Sequence, residues 1–323
     1  MPRGPRSPGR TVGWWTGPMG GVLRALMLLG SLCGANCLAA ELAVLSGPAM
    51  GTTYRVTLAA LIPGRSPGAV HREVEAVLAR IDRAASTWRE DSDVSRFNRA
   101  VAGEWVPAAA DLLAILEVAR GVHDESHGCF DVTVAAVGSG RPSGMRHLLT
   151  RSSPPALAKA VTGLSLDLGG IGPGYAVDAI GLRLAALGSA GHLVELGGEV
   201  RAWGEAAAGR PWRVRIAAAG GVEAGRVADG QPREIDLAPG EAVATSTCRP
   251  GRSPLDPRTG QPVGGESRSV TVRVTAGESL HACAVADARA VAAVVLGLEP
   301  GADGTIRAPS TPAAPPGATP RGP

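Results

Sequence analysis

Aromatic side chains are scarce in this sequence, which has six tryptophans, two tyrosines and two phenylalanines among 323 residues. The core must therefore be built mostly from alanine, valine, leucine and isoleucine. Lysine is scarcer still, because Lys159 is the only one and the other long basic side chains are all arginines. The net charge is only +3, and the basic residues form no stripe. The composition therefore gives no support to a nucleic-acid-binding function.

Cysteines and long apolar runs are also few, which excludes a disulfide-dense miniprotein and a multi-pass membrane protein. Five cysteines are present, and two of them, Cys33 and Cys37, fall in a segment that we expect to be removed. The three that remain allow at most one disulfide, so the fold does not depend on a disulfide framework. A charged fraction of 19% and a hydrophobic fraction of 45% are typical of a globular protein.

The N-terminus has the pattern of a secretory signal. Arginines precede an apolar run at 25–32, and small residues follow up to position 40. The run is too short to cross a bilayer, which needs about 20 apolar residues. We therefore expect residues 1–40 to be a signal peptide and the mature protein to be exported. Lipid attachment at Cys33 or Cys37, with association with the inner membrane, is the alternative.

The mature chain mixes helical and strand patterns without regular alternation, which predicts an α+β fold. Apolar residues at helical spacing predict an amphipathic helix over 68–85. Two alternating runs around Gly197 and Gly198 predict a tight hairpin. The other predicted helices lie over 111–122, with Asp111 near the cap, between Gly170 and Gly188, and over 284–296. The other predicted strands lie over 53–58, 164–168, 212–216 and 269–274.

The domain organisation follows from composition. We expect a single domain over residues 41–299. Within it, residues 138–156 are rich in Gly, Pro, Ser and Arg and are predicted to be irregular. Residues 300–323 form a tail rich in proline, alanine and glycine, which is predicted to be disordered.

A glycine-rich turn, DLGGIGPGY at 167–175, separates a predicted strand from a predicted helix. Such a turn lets backbone approach a phosphate, and a helix N-terminus offers free N–H groups and the positive end of its dipole. The pattern is neither GxGxxG nor a P-loop. A purely structural glycine turn explains it equally well.

Asp287 lies within the apolar helical run AVADARAVAAVV at 284–295. A buried carboxylate must be paired, bound to a metal or protonated. An oxygen ligand of this kind suits Mg²⁺, which usually keeps waters and substrate phosphates in its shell. A salt bridge to an arginine is the alternative.

Two further groups of residues suggest binding chemistry. Trp88 lies among hydroxyl side chains and could stack on a planar ring, although a surface turn explains the same pattern. His123, His127 and Cys129 have spacings that a metal could use, but no fourth ligand is in view. No Gly-x-Ser-x-Gly elbow occurs, and no local signature pairs a cysteine with a histidine as a nucleophile.

Taken together, these segments resemble the ApbE family, the FAD:protein FMN transferases. The matching motifs run in the order of the family and cover about residues 44–297. They are MGTTY at 50–54, STW at 86–88, FN at 97–98, GCFDVT at 128–133, LDLGGI at 166–171, GYAVD at 174–178, LVELGGEVR at 193–201, PWRV at 211–214, TS at 245–246, LDPRTG at 255–260 and ADA at 286–288.

The resemblance implies a periplasmic, Mg²⁺-dependent enzyme that splits FAD, releases AMP and attaches FMN through a phosphoester to a Ser or Thr of an acceptor flavoprotein. It also implies that the acceptor belongs to a membrane redox complex, although some family members hydrolyse FAD to FMN and AMP instead. By family position, the residues in contact with FAD would be Met50, Trp88, Cys129, Phe130, Asp131 and Asp167, with Pro173 at a further cofactor-binding position. The Gly170 carbonyl and the Asp287 carboxylate would bind Mg²⁺, and Asp287 would act in catalysis through the metal.

Three positions depart from the family pattern. Val291 stands where the family commonly has a threonine that binds the metal, so this ligand is lost here. Pro173 replaces the usual lysine of the glycine turn, and Ser253 replaces a histidine before the Asp-Pro motif. The chain is therefore either a divergent transferase with weakened metal binding or a relative that binds FAD, or acts as a periplasmic interaction protein, without turnover.

Overall fold

The computed structural model describes residues 42–134, 142–207, 209–216, 222–223, 226–227, 233–249, 253–264, 268–301 and 303–307. The predicted signal peptide lies outside these residues, as does the part of the predicted tail beyond residue 307. The expectations for both segments remain predictions.

The described residues form five α-helices and fourteen β-strands. The helices are α1 (Pro67–Ala85), α2 (Asp93–Arg99), α3 (Ala110–Glu125), α4 (Gly172–Ala186) and α5 (Ala282–Leu296). The strands are β1 (Ala43–Ala49), β2 (Thr52–Leu58), β3 (Val106–Pro107), β4 (Leu148–Ser152), β5 (Pro155–Lys159), β6 (His192–Leu196), β7 (Glu199–Trp203), β8 (Trp212–Ile216), β9 (Val222–Glu223), β10 (Arg226–Val227), β11 (Arg233–Leu237), β12 (Ala242–Cys248), β13 (Arg268–Val274) and β14 (Thr305–Arg307).

Seven of these strands form the central sheet, in the order β1-β2-β6-β7-β12-β13-β14. Neighbouring strands are antiparallel except for the parallel pair β13–β14. One face of the sheet packs against the helices, because alternate residues such as Tyr54, Val56 and Leu58 belong to the main hydrophobic core. On the other face, Val200, Ala202 and Val243 form a second apolar cluster with the β8–β11 ladder.

Helix α1 confirms the predicted amphipathic pattern. Its buried residues are Val70, Val74, Val77, Leu78, Ile81, Ala84 and Ala85. Ser66 caps the helix, since its side chain accepts a hydrogen bond from the N–H of Ala69. Among the described residues, no helix is both long enough and apolar enough to cross a membrane.

The β6–β7 hairpin is also confirmed. Gly197 and Gly198 connect the two strands with φ angles of +69° and +125°. Residues with a side chain rarely adopt such angles, so the glycine pair is what permits the two-residue turn. The hairpin places the first residue of β7, Glu199, on the face of the sheet that packs against the helices, since Arg201 on the same face bonds to Asp178 of α4.

The predicted strand over 164–168 is wrong, because this segment joins no sheet. The Asn98 side chain takes the place of a partner strand, donating to the Leu166 carbonyl at 3.0 Å and accepting from its N–H at 2.8 Å. The ammonium of Lys159 donates to the Leu164 carbonyl at 2.6 Å. Lys159 is fully buried over the ring of Phe97.

Two other predictions need correction, and one is confirmed. Of the segment 138–156 that was predicted to be irregular, residues 138–141 lie outside the described residues, and residues 148–156 contain β4 and the start of β5, which pair with one another. Helix α3 confirms the predicted helix over 111–122, and Asp111 lies in its first turn with its carboxylate bonded to the hydroxyl of Tyr175. Strand β14 lies inside the tail that was predicted to be disordered, and it pairs with β13.

Candidate active site

A cavity of about 360 Å³ lies where four separate segments meet. This volume is at the lower end of the range for ligand pockets. The segments are the loop after α3, the turn before α4, the loop after β12 and helix α5. The lining residues are Cys129, Phe130, Asp131, Val132, Val134, Asp167, Gly169, Gly170, Pro254, Leu255, Pro257 and Val291.

The loop after α3, which lines one side of the cavity, begins with a sharp turn. His127 and Gly128 have φ angles of +52° and +81°, and this reversal brings Cys129 to the cavity. Burial raises the pKa of the Cys129 thiol, and the charge of Arg258 only partly opposes the shift. The thiol is therefore protonated at neutral pH and is not an activated nucleophile.

The carboxylates of this cavity are held in place by local hydrogen bonds. Asp131 Oδ1 accepts from the N–H of Thr133 at 2.7 Å and from its hydroxyl at 2.6 Å. The N–H of Asp167 donates to the carbonyl of Val132 at 2.7 Å, and this bond joins the turn before α4 to the loop after α3. Asp167 Oδ1 accepts from the N–H of Gly169 at 2.9 Å. Both carboxylates thus have fixed positions before any ligand binds.

The turn before α4 packs directly against α5. A Cβ atom at Gly170 would lie 2.8 Å from Cγ2 of Val291, and one at Gly174 would lie 2.5 Å from the carbonyl oxygen of Cys283. Only glycine fits at either position. The backbone of the turn consequently lies beside the helix that carries Asp287.

The N-terminus of α4 does not offer free N–H groups for a phosphate, contrary to expectation. The N–H of Gly172 donates to the carbonyl of Leu168, Pro173 has no N–H, and the N–H of Gly174 donates to Asp287 Oδ2 at 3.1 Å. Pro173 suits the first helical turn because its missing N–H is not needed there. Another positive charge is therefore needed to bind a pyrophosphate here.

Asp287 is buried in α5, and the residue is only 6% exposed to solvent. Burial is the main cause that raises its pKa well above the ordinary value, and repulsion from Glu199 is the second. The N–H of Gly174 partly opposes this shift. Burial likewise raises the pKa of Glu199, to about 7. Burial thus disfavours two negative charges side by side here, and a bound cation would allow both carboxylates to be ionised.

Asp178 belongs to α4, but its carboxylate lies at the beginning of α5, about one helical turn before Asp287, and accepts from three donors. Its carboxylate accepts from the N–H groups of Cys283 at 3.1 Å and Ala284 at 2.9 Å, and so caps the helix. Arg201 donates to it at 2.6 Å and also to the carbonyl of Leu280 at 2.7 Å. Burial still raises the pKa of Asp178 to about 6, against the effect of Arg201.

Comparison with known proteins identifies the family. The family model described as "ApbE family" matches residues 50–310. The chain belongs to the ApbE family. A Vibrio cholerae protein named FAD:protein FMN transferase is 30% identical over 294 residues, which cover 81% of this chain and 84% of that relative. The Haemophilus influenzae protein of the same name is 29% identical over 268 residues, 71% of this chain and 75% of that relative.

Solved ApbE structures have the same fold. The flavin transferase ApbE from Vibrio cholerae aligns with a TM-score of 0.66 at 28% identity, covering 80% of this chain and 87% of that one. The apo form of the flavinyl transferase ApbE from Pseudomonas stutzeri aligns with a TM-score of 0.66 at 32% identity, covering 79% and 84%. The predicted α+β fold is therefore confirmed.

Six residues predicted from the ApbE resemblance converge on the cavity. They come from three separate parts of the chain and are Cys129, Phe130, Asp131, Asp167, Gly170 and Val291. Asp287, one turn before Val291 on α5, is joined to the glycine turn by its bond to Gly174. The structure thus gathers most of the predicted site in one place.

The other predicted residues lie at the edge of this site or outside it. Met50 is partly buried, and its Cε lies 3.5 Å from the position that a Cβ atom at Gly172 would take. Trp88 is 95% exposed and does not line the cavity. The hydroxyl of Ser253 does not stand in for a catalytic histidine, since it donates to the Arg249 carbonyl at 3.0 Å and contacts the Cys248 sulfur at 3.1 Å.

The alternatives for the charged residues can now be compared with the structure. No described arginine forms an ion pair with Asp287, so the salt-bridge alternative is wrong for the part of the chain that the structure covers. His123 donates through Nδ1 to the carbonyl of Phe130 at 2.8 Å. Among the described residues, no group of three or more His, Cys, Asp and Glu side chains is arranged to hold a metal ion.

The sequence reasoning missed Glu199 and the Asp178–Arg201 pair as parts of this region. A signal for Glu199 was available: it follows the Gly-Gly turn and alternates with Arg201 and Trp203 on one face of β7. Polar residues on the inward face of a central strand need compensation. The compensation of Asp178 comes from Arg201 on β7 and from the start of α5, which is over 100 positions away in sequence, and no local pattern reveals it.

The residues present fit a divalent cation with oxygen ligands. Asp287 is a buried carboxylate without an ion-pair partner among the described residues, and Glu199 adds a second negative charge. The backbone of Gly170 lies beside the same helix. Mg²⁺ is commonly bound by one or two carboxylates together with substrate phosphates, so three side-chain ligands are not required.

Proposed function

We propose that this protein transfers FMN from FAD to a Ser or Thr hydroxyl of an acceptor flavoprotein and releases AMP, with Mg²⁺ as its cofactor. The observation that carries the proposal is the convergence of Cys129, Phe130, Asp131, Asp167 and Gly170 on one cavity beside Asp287. The names of the relatives, FAD:protein FMN transferase, support the same reaction.

The proposed reaction is a phosphoryl-group transfer. The acceptor hydroxyl oxygen forms a bond to the FMN phosphorus, and the bond from that phosphorus to the bridging oxygen of the pyrophosphate breaks. AMP leaves with the bridging oxygen, and the hydroxyl proton passes to a base or to water. A bound cation supplies neutralisation of the negative charge that builds up on the phosphates.

The residues of this chain would act by positioning. Asp131 and Asp167 have carboxylates fixed by Thr133 and Gly169, and each retains an oxygen that can accept from an N–H of the dinucleotide. Phe130 offers an aromatic surface in the cavity wall. The volume of about 360 Å³ encloses part of such a ligand, and the rest extends to the surface.

A second candidate is a protein that binds FAD without transferring FMN. Two observations favour it. Val291 presents methyl groups to the cavity, and the Ser253 hydroxyl is occupied by Cys248 and the Arg249 carbonyl. Neither side chain can provide the oxygen ligand or the imidazole that the family resemblance implies at these positions.

The experiment that separates the candidates is a transfer assay. Purified mature protein is incubated with FAD, Mg²⁺ and an acceptor flavoprotein domain, and flavin fluorescence is followed on the acceptor band of a denaturing gel. We expect a fluorescent acceptor band with the wild type and none with Asp287→Asn. FAD binding without a fluorescent band would support the second candidate instead.

We also propose that the protein is exported and acts on an acceptor in a membrane redox complex. The support is the signal-like sequence before residue 41 and the family resemblance. N-terminal sequencing of the protein from a periplasmic fraction tests this proposal. A terminus near residue 40 agrees with it, and an intact N-terminus on cytoplasmic protein contradicts it.

A further inference from the structure

Glu199 is a buried acidic residue that the proposed chemistry does not yet use. It is the first residue of β7, immediately after the Gly197–Gly198 turn, and is only 8% exposed. Its side chain shares the inward face of the strand with Arg201, because side chains two residues apart in a strand point the same way. The inward face packs against α4 and α5.

The position of Arg201 shows where Glu199 lies along α5. Arg201 reaches the beginning of that helix, since it donates to the Leu280 carbonyl and to the carboxylate of Asp178, which caps the helix. Two residues along a strand span about 6.6 Å, and one helical turn spans about 5.4 Å. Trp203 packs against Gly181 and Arg201 bonds to Asp178, so the inward residues of β7 step back along α4 and Glu199 lies near Gly174. The N–H of Gly174 donates to Asp287, so Glu199 lies near Asp287 as well, in agreement with the repulsion between the two carboxylates.

The carboxylate of Glu199 has no compensating partner among the described residues. Its only favourable contact is with its own backbone N–H. A buried carboxylate in this situation is costly, and a second one beside it raises the cost. Val291, one turn after Asp287, contributes only methyl groups to the cavity, so an oxygen from another element is needed on this side of the site.

We propose that Glu199 is a second acidic residue of the Asp287 cation site, binding the divalent cation directly or through one water molecule. This inference rests on the proposed function, because it assumes that the cation binds beside Asp287. A cation between the two carboxylates removes their repulsion and satisfies both. Two carboxylates together with phosphate oxygens and water form a ligand set that suits Mg²⁺.

The test measures Mg²⁺ alone, by isothermal titration calorimetry of the mature protein without FAD. Glu199→Gln keeps the shape and removes the charge. Glu195→Gln is the matched control for a charge effect through space alone, because Glu195 is exposed on the opposite face of the hairpin and its charge still raises the pKa of Glu199. We expect Glu199→Gln to weaken Mg²⁺ binding by about 10- to 100-fold and Glu195→Gln to change it less than twofold.

A second readout separates a cation-binding role from a structural one. Without divalent cations, Glu199→Gln should melt at a higher temperature than the wild type, because it removes an unpaired buried charge. Added Mg²⁺ should raise the melting temperature of the wild type and of Glu195→Gln, and raise that of Glu199→Gln much less. Equal Mg²⁺ affinity in both variants, or no Mg²⁺ binding by the wild type at millimolar concentration, overturns the proposal.

A failure of the Glu199 inference can be distinguished from a failure of the proposed function. If the wild type binds Mg²⁺ in a Glu199-dependent way but labels no acceptor, the cation site stands and the transferase proposal fails. If the wild type labels the acceptor and Glu199→Gln binds Mg²⁺ as well as Glu195→Gln does, the transferase proposal stands and the role of Glu199 is wrong.

Discussion

Two buried carboxylates lie beside the first two turns of α5, Asp178 from α4 and Asp287 from α5 itself, and their situations are opposite. At the first turn, Asp178 accepts two backbone N–H groups and pairs with Arg201. At the second turn, Asp287 accepts one N–H group and faces Glu199. Burial is similar at both places, but the compensation is not. The difference indicates that the first turn is built for stability and the second for a ligand of positive charge.

The largest effect is expected where the compensated pair is broken. Arg201→Met keeps the packing and removes the charge that balances Asp178. We expect it to lower the free energy of unfolding by about 3–5 kcal/mol, because an uncompensated buried carboxylate remains. Chemical denaturation measures the change. Arg213→Met is the control, since the Arg213–Asp236 pair is exposed to solvent and should contribute little to stability. Equal losses would contradict the comparison.

His192 is a third buried titratable group on the sheet face that packs against the helices. It makes the stability of the protein depend on pH. Its Nε2 lies 3.0 Å from the Gly181 carbonyl, and its ring stacks on Trp203. Burial lowers its pKa to about 4. The unfolded state therefore takes up a proton between about pH 6.5 and 4 while the folded state does not, and stability falls as the pH falls through this range.

The expected loss from His192 is about 3 kcal/mol over that pH range. The difference between the wild type and His192→Gln isolates it from other titrating groups, and denaturation curves at pH 7 and pH 4 supply the values. The wild type should lose about 3 kcal/mol more than the variant. Parallel losses in the two proteins would show that His192 does not remain neutral in the folded state.

Replacing Asp178 or Asp287 by asparagine should change the stability of the cation-free protein in opposite directions. Asp178→Asn weakens the cap of α5 and leaves Arg201 unpaired, so we expect it to destabilise the cation-free protein by about 2 kcal/mol. Asp287→Asn keeps an acceptor for Gly174 and removes an unpaired charge, so it should stabilise that protein by about 1 kcal/mol. Thermal unfolding in a chelator at pH 8 measures both. Destabilisation by both variants would remove the distinction.

The smallest effect is expected when residue 291 is given a side-chain oxygen. Val291→Thr is nearly isosteric and places a hydroxyl one turn after Asp287 on the same face of α5. We expect it to raise Mg²⁺ affinity by about fivefold to tenfold, roughly 1 kcal/mol. Val285→Thr, on the same helix but away from the lining of the cavity, serves as control. An affinity gain in both variants, or in neither, would exclude residue 291 from the cation site.

Local patterns in the sequence were enough to predict much of the fold. Helix α1 and the β6–β7 hairpin follow from apolar spacing and from the Gly197–Gly198 turn. The segment 164–168 could not be predicted, because its backbone bonds to the side chains of Asn98 and Lys159 rather than to a strand. Propensity describes a residue and its neighbours, and these partners come from other elements.

The candidate site was predictable to a similar extent. The ApbE motifs gave the cavity residues from Cys129 to Asp131, together with Asp167 and Gly170. The charge balance was not predictable, because it depends on which carboxylate meets an arginine in three dimensions. Asp178 and Asp287 look alike in sequence, as acidic residues within apolar helices, and only their partners distinguish them.

The most direct test of the account is whether FAD and Mg²⁺ bind together through Asp287. Isothermal titration calorimetry of FAD is carried out with Mg²⁺ and with a chelator, for the wild type and for Asp287→Asn. The account predicts that Mg²⁺ strengthens FAD binding to the wild type by tenfold or more, on the order of 1.4 kcal/mol, and leaves Asp287→Asn unchanged. FAD affinity that is independent of Mg²⁺ in the wild type, or equally dependent in both proteins, would contradict it.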